Sequence, residues 1–339
     1  MCRRGHLIAS HCTHRDRLIA AVRGLVPGLA RGLGRAEVAG GAEPPGGSAR
    51  GVLVTDAYVV VVGATGWVGR RVVARAQERG LLGAAVSRRG DPGGPWHGHP
   101  LTDLAKLAKR PGAMVVNAAG ATQGEWTTLY RANVELVEHL ARTCEEAGAG
   151  LVTLGSAAEY GAPIGPLFVE SDPPGPTSSY GRSKLAATEV VLGHVDAGLR
   201  AMVVRMFNLV GADRPGVDPI SDFAREVNSL PASGGVVHPF DSSLVRDLMG
   251  LDRAADTVLD LCEHVGEAPV VNLCSGRGVR FRDLIKVMAD VRGVPVRIED
   301  TSPGGIPTVV GDTRLLFRLV GVREPQTVRE LAALVIATP

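Results

Sequence analysis

The chain has 339 residues, 45% of them hydrophobic, and a formal net charge of +2. That is apolar material for one large or two modest domains, with no electrostatic case for nucleic acid or an anionic membrane as partner. No apolar run is long enough to span a bilayer. Five irregularly spaced cysteines (Cys2, Cys12, Cys144, Cys262, Cys274) suit a reduced, cytoplasmic protein rather than a disulfide framework.

Residues 1–56 differ in composition from the rest of the chain: an Arg-rich stretch to Arg35, then a Gly/Pro/Ala-rich linker from Ala39 to Gly51. They read as a disordered extension, translated from upstream of a start near Val52 or Val54. Cys2, His6, His11, Cys12 and His14 fit no usual zinc spacing, nor do the later histidines, so no metal is expected.

From Tyr58 the pattern alternates strand and helix. Strands are predicted at Tyr58–Val62, Ala84–Ser87, Ala113–Asn117, Gly150–Leu154 and Arg200–Met206, with helices at 66–79, 102–109, 127–147 and 180–195 between them. This is the signature of an α/β fold, a Rossmann-type doubly wound parallel sheet covering about residues 57–211 plus returning segments. After Gly211 the alternation lapses, and 212–339 read mainly as a smaller C-terminal α/β substrate-binding lobe. It is expected to include strands near 236–240, 244–248, Val270–Cys274 and Val294–Ile298.

The first strand breaks at Gly63-Ala64-Thr65-Gly66-Trp67-Val68-Gly69 and a helix begins there. Glycines at that spacing suit a tight turn in which backbone approaches a pyrophosphate at a helix N-terminus, where unpaired N–H groups and the helix dipole favour an anion. The end of the second strand usually carries an acidic residue for the ribose 2′-hydroxyl. Here it reads Ser87-Arg88-Arg89, and a guanidinium pairs instead with a 2′-phosphate. NADP(H) is therefore preferred over NAD(H); two solvated loop arginines are the bland alternative.

The segment Thr177-Ser178-Ser179-Tyr180-Gly181-Arg182-Ser183-Lys184 puts a phenol and an ammonium four residues apart, on one helix face. An ammonium beside a phenol favours the phenolate, and a fall of about three pKa units corresponds to roughly 4 kcal/mol. Such a phenol is suited to acid/base work near neutral pH. Ser156 lies directly after the fourth strand, and the C-terminal ends of strands are where open α/β sheets place their sites. Its hydroxyl is suited to donate to a ketone oxygen.

Taken in order, these pieces resemble the extended short-chain dehydrogenase/reductase family, of the NAD(P)-dependent epimerase/dehydratase type. Further matches are Asn117-Ala118-Ala119-Gly120, Asn133, Arg205-Met206-Phe207-Asn208-Leu209-Val210-Gly211, Arg246-Asp247 with Asp252 beyond it, and Asn272 to Arg277. The resemblance implies Tyr180 as catalytic acid/base, Lys184 as its modulator and a nicotinamide-ribose ligand, and Ser156 as the group orienting the carbonyl. It implies Asn133 in support of the proton relay, Ala118, Ala119 and Gly120 along the cofactor ribose, and Phe207 and Val210 beside the nicotinamide. Asn208 and Arg246 are expected near the substrate. A homodimer is implied by the family alone.

Ala157-Ala158 stand where family dehydratases carry an Asp-Glu pair, so dehydration is not expected. The segment Gly155 to Gly161 resembles the nucleotide-linked 4-keto-6-deoxyhexose reductases most closely. The expected activity is NADPH-dependent reduction of a nucleotide-activated 4-keto-6-deoxysugar. A nucleotide-sugar 4-epimerase, a ketoreductase of a polyketide-type metabolite and a non-catalytic NADP sensor are the alternatives.

Overall fold

The computed structural model describes residues 58–88, 90, 98–212, 214 and 218–336. The expectations for residues 1–56 and for Arg89 lie outside the described residues.

The first strand, β1 (Tyr58–Val62), is a run of valines buried on both faces. Val59 and Val61 join one apolar core and Val60 and Val62 another, as a period of two requires in a sheet covered on each side. Around it stand β2 (Leu82–Ser87), β3 (His99–Pro100), β4 (Ala113–Asn117), β5 (Gly150–Ser156), β6 (Ala201–Met206) and, much later in the chain, β10 (Val270–Leu273). All seven are parallel, in the order β10-β6-β5-β4-β1-β2-β3. The order reverses between β1 and β4, and a crevice opens there at the strand C-termini.

The helix α1 (Trp67–Glu78) covers one face of this sheet with α7 (Leu251–Leu261) and α9 (Arg314–Val320). The other face carries α2 (Leu104–Ala108), α4 (Leu136–Ala147) and α5 (Ser179–Asp196). Arg71 and Arg75 of α1 and Arg79 at its C-cap pair with aspartates 252, 256 and 260 of α7, one rung per helical turn. These rungs are partly exposed, so the apolar interface beneath them carries most of the stability.

A second, smaller sheet forms around β9 (Val245–Gly250). It pairs in parallel with β7 (Asn208–Val210) and β13 (Thr308–Val309), and antiparallel with β11 (Gly278–Arg280). A separate parallel pair joins β8 (Gly235–Val237) to β12 (Val296–Ile298). Helices α6 (Pro219–Ser229), α8 (Phe281–Arg292) and α10 (Val328–Ile336) enclose a third apolar core there.

One expectation is corrected and two helices are present with a locally different winding. The strand at Val270–Leu273, expected in the smaller lobe, is the seventh strand of the main sheet, in register with Val203–Met206. Its residues 271–273 are buried on both sides, a pattern that marks a central strand but does not say of which sheet. The helix expected over 102–109 is a 3-10 turn, Leu101–Asp103, leading into the short α2. The helix expected over 127–147 starts as α3 (Trp126–Tyr130), widens into a π segment at Arg131–Glu135 and continues as α4. Among the described residues no helix is long and apolar enough to cross a membrane.

Candidate active site

The glycine turn between β1 and α1 is set by close backbone approach. Gly63 has φ +84°, and a Cβ there would lie 2.5 Å from the amide nitrogen of Ala119. A Cβ on Gly69 would come within 2.0 Å of the Gly63 carbonyl oxygen, so helix and turn are in contact only because both residues are glycine. The Gly66 N–H donates to Gly63 O at 2.9 Å, closing the turn. Gly66 then begins α1 with no side-chain cap and no acidic residue in the first turn. The first N–H groups of α1 thus form an anion site for which no carboxylate of that turn competes.

The N-cap of α5 is Ser178, whose hydroxyl oxygen accepts the Gly181 N–H at 3.0 Å. That start places Tyr180 in the first turn and Lys184 one turn on, on the same face. Lys184 Nζ donates to Leu154 O at 2.8 Å, reaching across the end of β5, which terminates at Ser156.

Ser156, Tyr180 and Lys184 line one cleft of about 840 Å³ together with Gly66, Trp67 and Val68 of the glycine turn. Ala118, Ala119 and Gly120, just past β4, form a wall, and Phe207, Asn208 and Arg246 line the same cleft. The other residues singled out from sequence lie elsewhere. Gly63 and Gly69 shape the turn without lining the cleft, Thr65 is exposed, and Val210 is buried in the third core. Arg88 is exposed just past β2.

Asn133 is 1% exposed and does not line the cleft. The π segment carries it inward, where Nδ2 donates to Ser183 Oγ at 2.8 Å and to Ala121 O at 2.9 Å. Its Oδ1 accepts the Ala121 N–H at 2.9 Å. Asn133 therefore ties the wall after β4 to the back of the helix that presents Tyr180 and Lys184. The structure thus places Asn133 behind the cleft rather than on its wall, bonded to the helix that carries Tyr180 and Lys184.

Beneath Ser156 lies a buried polar network. Glu159, with no exposed surface, accepts the Ser156 N–H (2.8 Å), the Thr188 hydroxyl (2.8 Å) and Arg205 Nε (2.8 Å). The Arg205 guanidinium sits 4.5 Å from the ring centre of Tyr160, whose hydroxyl donates to Asn272 Oδ1 at 2.7 Å. Burial pushes the Tyr160 phenol up to about 12, which leaves it a structural hydrogen-bond donor at neutral pH. Tyr180, by contrast, is half-buried and lines the cleft.

On the opposite side, Asp247 is fully buried and collects four donors: Ser275 N (2.7 Å), Ser275 Oγ (2.7 Å), Gly276 N (2.9 Å) and Gly311 N (3.3 Å). Its backbone oxygen accepts Asn208 Nδ2 at 3.2 Å. The adjacent Arg246 projects into the cleft and holds Val245 O at 2.8 Å; burial lowers its pKa from the usual arginine range. Sequence reasoning assigned no part to Glu159, Arg205, Tyr160 or Asp247. One signal was present: Ser156-Ala157-Ala158-Glu159 is a capping-box pattern.

Residues 59–274 match the model of the NAD dependent epimerase/dehydratase family. A dTDP-6-deoxy-L-talose 4-dehydrogenase (NAD(P)(+)) of Kitasatospora kifunensis is 34% identical over 267 residues, covering 74% of this chain and 84% of the relative. A UDP-glucose 4-epimerase of Azospirillum brasilense is 31% identical over 202 residues, 53% of this chain and 58% of the relative. The structure of RMD from Pseudomonas aeruginosa complexed with NADPH superposes with a TM-score of 0.70 at 22% identity, covering 83% of this chain and 96% of that one, a likeness of fold. The chain belongs to the NAD dependent epimerase/dehydratase family.

Proposed function

We propose that this family member is an NADPH-dependent ketoreductase of a nucleotide-activated 4-keto-6-deoxysugar, with Ser156, Tyr180 and Lys184 as its catalytic residues. The observation that carries the reading is the shared cleft, lined both by the uncapped N-terminus of α1 and by Ser156, Tyr180 and Lys184. The residues present fit a dinucleotide. The N–H groups of α1 would hold its pyrophosphate, Ala118 to Gly120 its ribose, and Phe207 the region of the nicotinamide. Arg88, at the end of β2, supports the 2′-phosphate form, NADPH, with NADH accepted less well.

When bound in this cleft, NADPH would supply the hydride for the ketone carbon. As negative charge develops on the ketone oxygen, Ser156 donates a hydrogen bond to it and Tyr180 delivers the proton that makes the alcohol. Lys184, fixed on Leu154 O, places its positive charge along the face shared with Tyr180 and offsets the charge left on the phenol. Arg246 supplies a cation for the pyrophosphate of the nucleotide sugar, and Asn208 a polar contact beside the ring. The Kitasatospora relative supports the substrate class, since its name places the reaction at C4 of a nucleotide-linked 6-deoxysugar.

A 4-epimerase is the second reading, favoured by the likeness to UDP-glucose 4-epimerase. The same three residues would then act in both directions on one sugar. Nucleotide-linked keto sugars and polycyclic ketones incubated with NADPH or NADH separate these readings. Stoichiometric NADPH loss with a keto sugar supports the reductase. Interconversion of sugars without net nucleotide consumption selects the epimerase, and turnover of polycyclic ketones alone selects the polyketide-type alternative.

A further inference from the structure

The charged pair under the cleft floor lacks an explanation in stability. Glu159 and Arg205 side chains are 0% and 5% exposed and meet at 2.8 Å. Desolvating two such groups costs several kcal/mol, and apolar residues of similar volume often serve a core as well or better. The fold also makes room for the carboxylate: a Cβ on Gly155 would lie 2.7 Å from Glu159 Oε1 and 2.8 Å from a Val203 methyl.

The carboxylate's contacts divide by oxygen. Oε2 takes Arg205 Nε and the Thr188 hydroxyl, each at 2.8 Å, and is thereby pinned between β6 and α5. Oε1 takes the Ser156 N–H at 2.8 Å. Ser156 Oγ in turn accepts the Ala158 N–H at 3.2 Å, completing a reciprocal cap over the single turn Ala157–Glu159. With one lone pair of Oγ occupied by Ala158, its proton remains to be donated into the cleft.

We propose that Glu159 is a positioning residue for the Ser156 hydroxyl, and that Arg205 is buried in order to hold Glu159 in that place. The pair acts through Ser156 and touches neither substrate nor cofactor. The inference deepens the ketoreductase reading and rests on it. A buried acceptor anchored at 2.8 Å restricts the Ser156 backbone, and donors aimed at a developing oxyanion lose much of their effect when displaced by about 1 Å.

Two paired substitutions isolate the acceptor. Glu159→Val/Arg205→Leu removes both charges and the acceptor for Ser156 N–H. Glu159→Gln/Arg205→Leu removes both charges and keeps an amide oxygen for that N–H, with the amide nitrogen turned to Thr188 Oγ1. Both are expected to unfold at or near the wild-type Tm. The Val/Leu pair should lower kcat about tenfold or more with the KM for NADPH unchanged, and the Gln/Leu pair should restore most of it. In a Ser156→Ala background the Val/Leu pair should cost nothing further, because groups acting as one unit are not additive.

Wild-type kcat in the Val/Leu pair, equal losses in both pairs, or losses that multiply in the Ser156→Ala background would each overturn the inference. Should the Val/Leu pair fail to fold, Glu159→Asp keeps the charge opposite Arg205 but shortens the reach to Ser156 by one methylene. The same kcat loss is expected, and full activity overturns the proposal. If Ser156→Ala alone leaves turnover intact, the reading of the site fails first and the inference goes with it.

Discussion

Replacing Asp247 by alanine sets two large opposed effects against each other. The substitution orphans three backbone N–H groups, at Ser275, Gly276 and Gly311, which now converge on this fully buried carboxylate. At about 1–2 kcal/mol for each orphaned donor, the loss is roughly 3–6 kcal/mol. Burial also pushes the Asp247 carboxyl up to about 6, from an unfolded value near 3.9. The folded state therefore binds more proton than the unfolded state between about pH 4 and pH 6. Its contribution to stability is full below about pH 4 and falls as pH rises through 6, by roughly 3 kcal/mol. Asp247→Ala should accordingly cost about 2 kcal/mol at pH 7.5 and about 4 kcal/mol near pH 4.5. Urea unfolding of both proteins at the two pH values measures this difference. A cost that is constant, or larger at pH 7.5, would refute the reasoning by showing that the four donors outweigh desolvation. The KM for the sugar should rise as well, because the Asp247 carbonyl holds Asn208 and its neighbour Arg246 lines the cleft.

In the proposed mechanism Tyr180→Phe removes the proton donor, so turnover should fall by about 10²–10⁴ while NADPH still quenches tryptophan fluorescence with nearly unchanged affinity. Retention of more than a tenth of wild-type kcat would count against Tyr180 as the acid. Gly63→Ala forces a side chain into a φ of +84° against the Ala119 amide, and should abolish NADPH binding or folding; normal binding in a thermal-shift titration would show that the turn relaxes. Arg88→Ala combined with Arg89→Ala should raise the KM for NADPH several-fold more than that for NADH, and equal changes would remove the 2′-phosphate assignment. Asn133→Ala loses three hydrogen bonds between Ala121 and Ser183, and is expected to cost about 2–4 kcal/mol in chemical denaturation with a higher KM for NADPH. A purely local loss of stability with unchanged KM would restrict Asn133 to packing.

The parts legible from sequence share a short range. The valine run of β1, the three glycines and the Tyr180–Lys184 spacing are each contained within one element and its turn. Their periods of two and 3.6 state directly which side chains share a face. The capping box at Ser156 was equally local, yet the destination of the second carboxylate oxygen of Glu159 was not, because Arg205 arrives from β6, 46 residues later. Asn133 carried no such sign either: the π segment that contains it is a local change in helical register, which the apolar periodicity does not announce.

The sequence by itself determined the five long strands and intervening helices from Tyr58 to Met206, the strand–turn–helix at the three glycines, and the chemical identity of the three groups at the cleft. Backbone propensity and side-chain alternation specify these within a dozen residues. Only the tertiary structure decided that Val270–Leu273 closes the main sheet, that Asn133 braces the cleft from behind, and that the Asp247 carboxylate joins the chain at 275–276 to Gly311. Those contacts join residues far apart along the chain, and burial sets their energies. Burial belongs to the packed whole, so no single stretch of sequence expresses it.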